Sequence, residues 1–304
     1  MPLAKEYTIL TGGGAAGKVM KITIGAYVIP QNGAMADLRR AWMEADTLGV
    51  DRIYISDHFF TPAPADYLAA QREVGDVAAD TSLDEYRLRV PESADSPIFE
   101  AMTLQAAMAV TTTRAEIGCL VHASAYRNPN LVADMARTID HLSGGRFVLG
   151  VGAGWHRRDF DEYGYAFGTV GSRLRNLEHD IETIRARWKK LNPPPTRRIP
   201  ILFGGGGEKV ALRITAQHVD EWHYFGALDA LKRKTAVLDE WCVKVGRDPR
   251  EIIRCTSVGH GLDDGATPDD YVALGFTHVI ASCAGPQWDL KPVRELLAWK
   301  AARQ

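Results

Sequence analysis

Short apolar runs alternate with longer stretches of helical periodicity eight times between Lys21 and the end of this 304-residue chain. Nothing else in the sequence restricts the fold so strongly, because every run needs strand neighbours and every amphipathic stretch must bury one face. The runs fall at 22–29 (ITIGAYVI), 52–56, 116–121, 147–151, 199–203, 221–225, 252–258 and 277–281. Helices are predicted behind them, as at 37–48, where Leu38, Trp42, Ala45 and Leu48 share a face and Gly49 stops the turn. Phe147, Val148, Leu149 and Val151 are apolar without alternation, which suits a parallel strand buried on both faces. Eight strand and helix units in roughly 280 residues predict an α/β chain closed into a (β/α)8 TIM barrel, with an open doubly wound sheet as the competing arrangement.

Two segments break the rhythm. Residues 61–97 are proline-rich and then acidic, with room for a short helix at 65–77, and residues 159–169 are acidic and aromatic. Both are predicted to be insertion loops at the C-terminal face of the strands. Residues 1–19, with Gly12, Gly13, Gly14 and Gly17, are expected to form a flexible extension ahead of one barrel domain over 20–304. The GGGAAGK run within them lacks the preceding strand and the Ser/Thr after its lysine that a phosphate loop requires.

A barrel draws its ligand groups from the carboxyl ends of its strands. In chain order those ends carry Asp57 and His58, His122, Gly152 to Trp155, Gly204 to Gly207, Phe225 and His260. A histidine beside a carboxylate suits proton transfer near neutral pH; the bland alternative is a strand-end cap, with His58 packed on Phe59. Gly150, Gly152 and Gly154 let a ligand approach the backbone, or relieve crowding in the barrel wall. Gly204 to Gly207 precede a helix, where backbone N–H groups favour an anion such as phosphate, and Lys209 and Arg213 add charge. A plain turn is the other reading. Asp57, His58 and His122 lack a further ligand at a recognisable spacing, so no metal is expected.

With 36 basic against 38 acidic residues, the chain has no polybasic footprint for nucleic acid or a membrane surface. Cys119, Cys242, Cys255 and Cys283 lie too far apart in sequence for a disulfide framework or zinc motif, which fits a reducing cytoplasm.

SDHF (56–59), YRNP (126–129), DMARTIDHLSGGRFVLGVGAGW (134–155) and FGGGGE (203–208) together resemble the bacterial luciferase-like flavin/deazaflavin oxidoreductases. The resemblance runs from about Lys21 to the C-terminus and is strongest to the coenzyme F420-dependent branch of actinobacteria. FMN-using relatives commonly carry Glu-His where this chain has Asp57-His58, which tilts the expectation to F420 with FMN as the alternative. The resemblance implies a deazaflavin across the C-terminal mouth and hydride transfer at its ring carbon C5. Asp57 would touch the ring and His58 would orient it or relay a proton. Leu120-Val121 would form a non-proline cis peptide behind the ring. Gly152, Ala153, Gly154 and Trp155 would pass the ring edge, and Gly205, Gly206 and Gly207 would take the phosphate end. Homodimers are common in that family. Its sugar-phosphate dehydrogenases have an acidic residue where this chain has Trp155, so that substrate does not carry over. Trp155, Trp222, His223, Tyr224 and Phe225 point instead to an apolar or planar small molecule. An FMN-dependent monooxygenase and a non-catalytic cofactor carrier are the rival expectations.

Overall fold

The computed structural model describes residues 21–73, 95–258 and 265–303, together with 75, 77–78, 80–83, 86–87 and 261–262. The expected N-terminal extension and His260 lie outside the described residues. All eight expected strands form: β1 (Thr23–Val28), β2 (Arg52–Ile55), β3 (Glu116–Cys119), β4 (Leu149–Gly152), β5 (Ile201–Gly204), β6 (Glu221–His223), β7 (Ile253–Val258) and β8 (His278–Cys283). They pair in parallel in the order β3-β2-β1-β8-β7-β6-β5-β4, and His122–Ala123, which continues β3, pairs in parallel with the end of β4. Ile117 closes the ring at its other side. Its N–H donates to Arg146 O at 2.8 Å and its carbonyl accepts from Val148 N at 2.9 Å. The barrel is therefore the architecture, and the open sheet is excluded.

Helices α1 (Met35–Leu48), α2 (Pro64–Glu73), α3 (Ala101–Thr111), α4 (Pro129–Ser143), α5 (Arg157–Tyr163), α6 (Val170–Trp188), α7 (Ala211–His218), α8 (Leu228–Lys244), α9 (Pro268–Ala273) and α10 (Lys291–Ala301) surround it. Ile24, Ile53, Ile117, Leu149 and Ile201 face this helical layer, whereas Tyr27, Tyr54, Val148, Leu202, Cys255 and Ile280 fill the interior. That alternation is the strand period of two. α5 stands where the sequence predicts loop. Its seven residues are too few to show a periodicity, and it is held by the ion pairs Arg157–Asp161 (2.9 Å) and Arg158–Glu162 (3.4 Å) and by buried Phe160. Tyr86–Arg87 and Gly261–Leu262 add a small antiparallel ribbon.

The floor of the barrel is polar. Arg52, at the start of β2, donates to both oxygens of buried Glu221 (2.5 and 3.0 Å), to Glu116 and to the Tyr54 hydroxyl. His278 Nδ1 lies 2.6 Å from Thr23 Oγ1. This plug keeps ligands to the opposite end.

Between Cys119 and His122 the third strand leaves its ladder through a cis Leu120-Val121 bond, the position the resemblance implies. The displaced backbone explains the glycines of β4. A Cβ on Gly150 would lie 1.9 Å from Cys119 O, and one on Gly152 would lie 2.6 Å from the Val121 side chain. Here the crowding reading of those two glycines holds. Gly150→Ala is expected to cost about 3 kcal/mol or more in urea unfolding, because a backbone carbonyl has nowhere to retreat. Gly171→Ala, with nothing closer than 3.6 Å, is the control and should be neutral or mildly stabilising.

Candidate active site

One cavity of about 270 Å³ opens at the carboxyl ends of the strands, and all eleven expected positions line it: Asp57, His58, Leu120, Val121, Gly152, Ala153, Gly154, Trp155, Gly205, Gly206 and Gly207. α2 contributes Tyr67 and Glu73 to its wall, and α6 contributes Arg173. Of the expected aromatic wall, Trp155, His223, Tyr224 and Phe225 line the space. Trp222 is fully buried outside it, its indole N–H donating to Gly205 O at 2.8 Å, so that ring is barrel packing.

Asp57 and His58 are neighbours in sequence but serve different partners, because successive residues of an extended chain face opposite ways. The buried Asp57 carboxylate receives both Nη groups of Arg127, at 2.7 and 2.8 Å, and the Ala123 N–H at 3.3 Å. His122 Nδ1 stands 3.3 Å from the same Oδ2, and its Nε2 meets Gln105 Oε1 at 2.7 Å. Burial opposes ionisation of Asp57. The Arg127 and His122 contacts outweigh it and hold the carboxyl far below the usual carboxylate range. Asp57 is thus a fixed negative charge; a group so firmly ionised does not cycle a proton.

His58 turns to Asp159 on α5, a residue the sequence reading passed over. Its Nδ1 lies 2.7 Å from Asp159 Oδ2, which also accepts the Tyr126 hydroxyl at 2.8 Å, while Oδ1 accepts the Phe59 and Phe60 N–H groups at 3.0 and 2.9 Å. Burial again opposes ionisation. Adjacent His156 and His58 prevail, and Asp159 too is held well below the ordinary carboxylate range. An ionised acceptor assigns the proton to His58 Nδ1 and leaves Nε2 with the lone pair. His58, His156 and Asp159 also bring three potential metal-ligating atoms within 4.8 Å of one another. Besides the four hydrogen bonds above, Asp159 Oδ2 has His156 Nδ1 at 3.1 Å, so the carboxylate is engaged by protein groups on both oxygens.

The YRNP motif is now legible residue by residue. Tyr126 binds Asp159, Arg127 clamps Asp57 and also pairs with Glu100, Asn128 caps α4 by accepting from Asn130 N, and Pro129 occupies the first turn. The DHLSGGRF stretch is scaffold by contrast. Buried Asp140 accepts from Thr196, and Arg146 donates to the carbonyls of Ala109, Thr112 and Ala115.

The second glycine turn is pinned from behind. Trp222 holds the Gly205 carbonyl, and the buried Lys234 ammonium donates to Gly206 O at 2.7 Å. With those carbonyls turned away, the Gly206 and Gly207 N–H groups donate to no partner among the described residues. Gly204, at the end of β5, faces Val121 across the floor of the same slot.

A ligand pocket at this end of a parallel (β/α)8 ring defines the large class of TIM-barrel enzymes. Within that class the chain belongs to one family: residues 19–265 match the profile of the luciferase-like monooxygenases. An uncharacterized protein of Mycobacterium tuberculosis is 31% identical over 210 residues, covering 62% of this chain and 69% of its own. Among solved structures, an F420-dependent secondary alcohol dehydrogenase in complex with an F420-acetone adduct shares the fold at a TM-score of 0.64 and 15% identity, over 93% of this chain and 91% of that one. The oxygenating constituent of 3,6-diketocamphane monooxygenase of Pseudomonas putida, in complex with FMN, does so at 0.55 and 18%, over 78% and 67%. The family comprises oxidoreductases and monooxygenases, and its fold is shared by F420-dependent and FMN-bound proteins. No helix among the described residues is long and apolar enough to cross a membrane.

Proposed function

We propose that this protein is a coenzyme F420-dependent oxidoreductase acting on a small apolar or planar organic molecule. The observation that carries the reading is that His58, oriented by Asp159, shares one slot with the Leu120-Val121 bulge and both glycine turns. The slot fits a flat ring with an anionic tail: Ile29, Val121, Ala153 and Phe203 give apolar walls, and the unpaired Gly206 and Gly207 N–H groups lie in the same cavity. When bound, F420 supplies the hydride chemistry.

The chain's own residues handle the proton. Two-electron reduction of a carbonyl substrate needs one proton at oxygen; a His58 imidazolium delivers it from Nε2 and returns to the Nδ1–H tautomer bonded to Asp159. Oxidation of an alcohol reverses the transfer, with Nε2 as base. Asp57, held ionised by Arg127, adds a fixed negative charge beside the ring and takes no proton. Trp155, 5.3 Å from the His58 ring in an edge-on contact, limits its rotation and covers it from water.

Titration with oxidised F420 and with FMN, followed by fluorescence, tests the cofactor. Tight binding of F420 and weak binding of FMN is the expected result; the reverse would remove the deazaflavin. The family's monooxygenase members and the FMN-bound structural neighbour favour a second reading, a reduced-FMN monooxygenase. Substrate-dependent oxygen uptake with reduced FMN separates the two.

A further inference from the structure

We propose that Arg173, together with the Gly206 and Gly207 N–H groups, seats the anionic tail of the ligand, and that Glu73 holds the Arg173 charge until that tail arrives. The inference rests on the cofactor reading above and names a recognition residue that reading does not require. Arg173 lies in the first turn of α6, and its side chain is 5% exposed. A guanidinium has five N–H donors. Arg173 uses two in hydrogen bonds, Nε to Gly154 O at 3.0 Å and Nη1 to Phe167 O at 3.3 Å, and its Cζ lies 4.0 Å from the centroid of the Phe167 ring. The remaining donors have no hydrogen-bond partner among the described residues.

The charge is poorly compensated. Its one ion-pair partner among the described residues is Glu73, 3.9 Å away on α2 and half exposed. A buried cation with so distant a counter-charge is costly unless an anion completes it. Burial, only partly offset by Glu73, pulls Arg173 below the ordinary arginine pKa. Other cations of this region are engaged or solvated: Arg213 pairs with Glu178 at 2.7 Å, Lys234 donates to Gly206 O, Arg233 pairs with Glu208 at 2.9 Å, and Lys209 is exposed. Arg173, Glu73 and the glycine turn line one cavity, to which α6 also gives Val170 and Leu174 and α7 gives its first residue, Ala211. A phosphate or phosphodiester meets the spare guanidinium donors and the two N–H groups at once, with geometry that arginine matches better than lysine.

The test compares F420 with the deazaflavin ribityl alcohol that lacks the phosphodiester tail. Arg173→Gln should weaken F420 binding roughly tenfold or more and leave the tailless compound unchanged, with Arg173→Lys intermediate. Glu73→Gln should tighten F420 about threefold and not affect the tailless compound, because the competing carboxylate is gone. Equal losses for both compounds in Arg173→Gln would overturn the proposal, since a brace of the Gly154 loop would act on either ligand alike. If the wild-type protein binds neither deazaflavin, the cofactor reading fails by itself. Inorganic pyrophosphate then decides the inference: thermal stabilisation that disappears in Arg173→Gln supports it, and stabilisation that persists, or none in the wild type, removes it.

Discussion

His58→Ala is expected to lower turnover by roughly 10²- to 10³-fold while cofactor affinity changes little, the range for loss of a positioned proton-transfer group. Asp159→Asn tests the orientation separately. The amide keeps an oxygen for the Phe59 and Phe60 N–H groups but turns an NH2 towards His58 Nδ1, so the imidazole must accept there and carry its proton on Nε2. Turnover should fall by roughly 10²-fold or more, up to the ~10⁴-fold seen when the orienting carboxylate of a catalytic histidine becomes an amide. Nitrogen-15 chemical shifts should place the resting proton on Nδ1 in the wild type and on Nε2 in the variant. Wild-type turnover in Asp159→Asn, or no change of tautomer, would reduce Asp159 to a loop anchor.

The other large effect lies at the opposite end of the barrel. Arg52→Leu leaves Glu221, 3% exposed, without its cation and should cost about 3–5 kcal/mol in urea unfolding. Arg52→Leu with Glu221→Leu should recover much of that, because no unpaired charge remains. Similar losses in the single and double variants would mean that shape, rather than charge, holds the floor. The same region sets an acid limit. Burial and nearby Arg52 push His278 well below its ordinary value of 6.5, so the folded protein keeps it neutral while the unfolded chain takes up a proton. Stability therefore declines as pH falls below 6.5, by at most about 1.4 kcal/mol per pH unit, and His278→Gln should flatten that slope. Asp57 and Asp159 shift in the same direction, to folded values below 3.8, although there the charged form is the one favoured. Their contribution is complete above that value and is lost only as pH falls towards their folded values.

The eight strands were readable because buried parallel strands leave uninterrupted apolar runs, as at Phe147 to Val151. Helix α5 was not, since two turns of chain rich in charge look like loop. The site was readable where one segment supplies a whole feature, as the glycine turns do. It was hidden where function depends on pairing. Arg127 and Asp57 are 70 residues apart, and Asp159 and His58 are 101 apart, distances over which spacing carries no signal. Adjacency suggested a joint role for Asp57 and His58, and strand alternation separates them. The YRNP letters already held two of the missing partners, Tyr126 and Arg127.

Asp159 belongs to α5, an insertion outside the ring of strands, whereas His58 closely follows β2 of the ring. Two cousins with identical SDHF letters would consequently own chemically different imidazoles whenever their excursions after the fourth strand differ. Grafting this excursion onto a cousin ought to transplant the proton's address along with it.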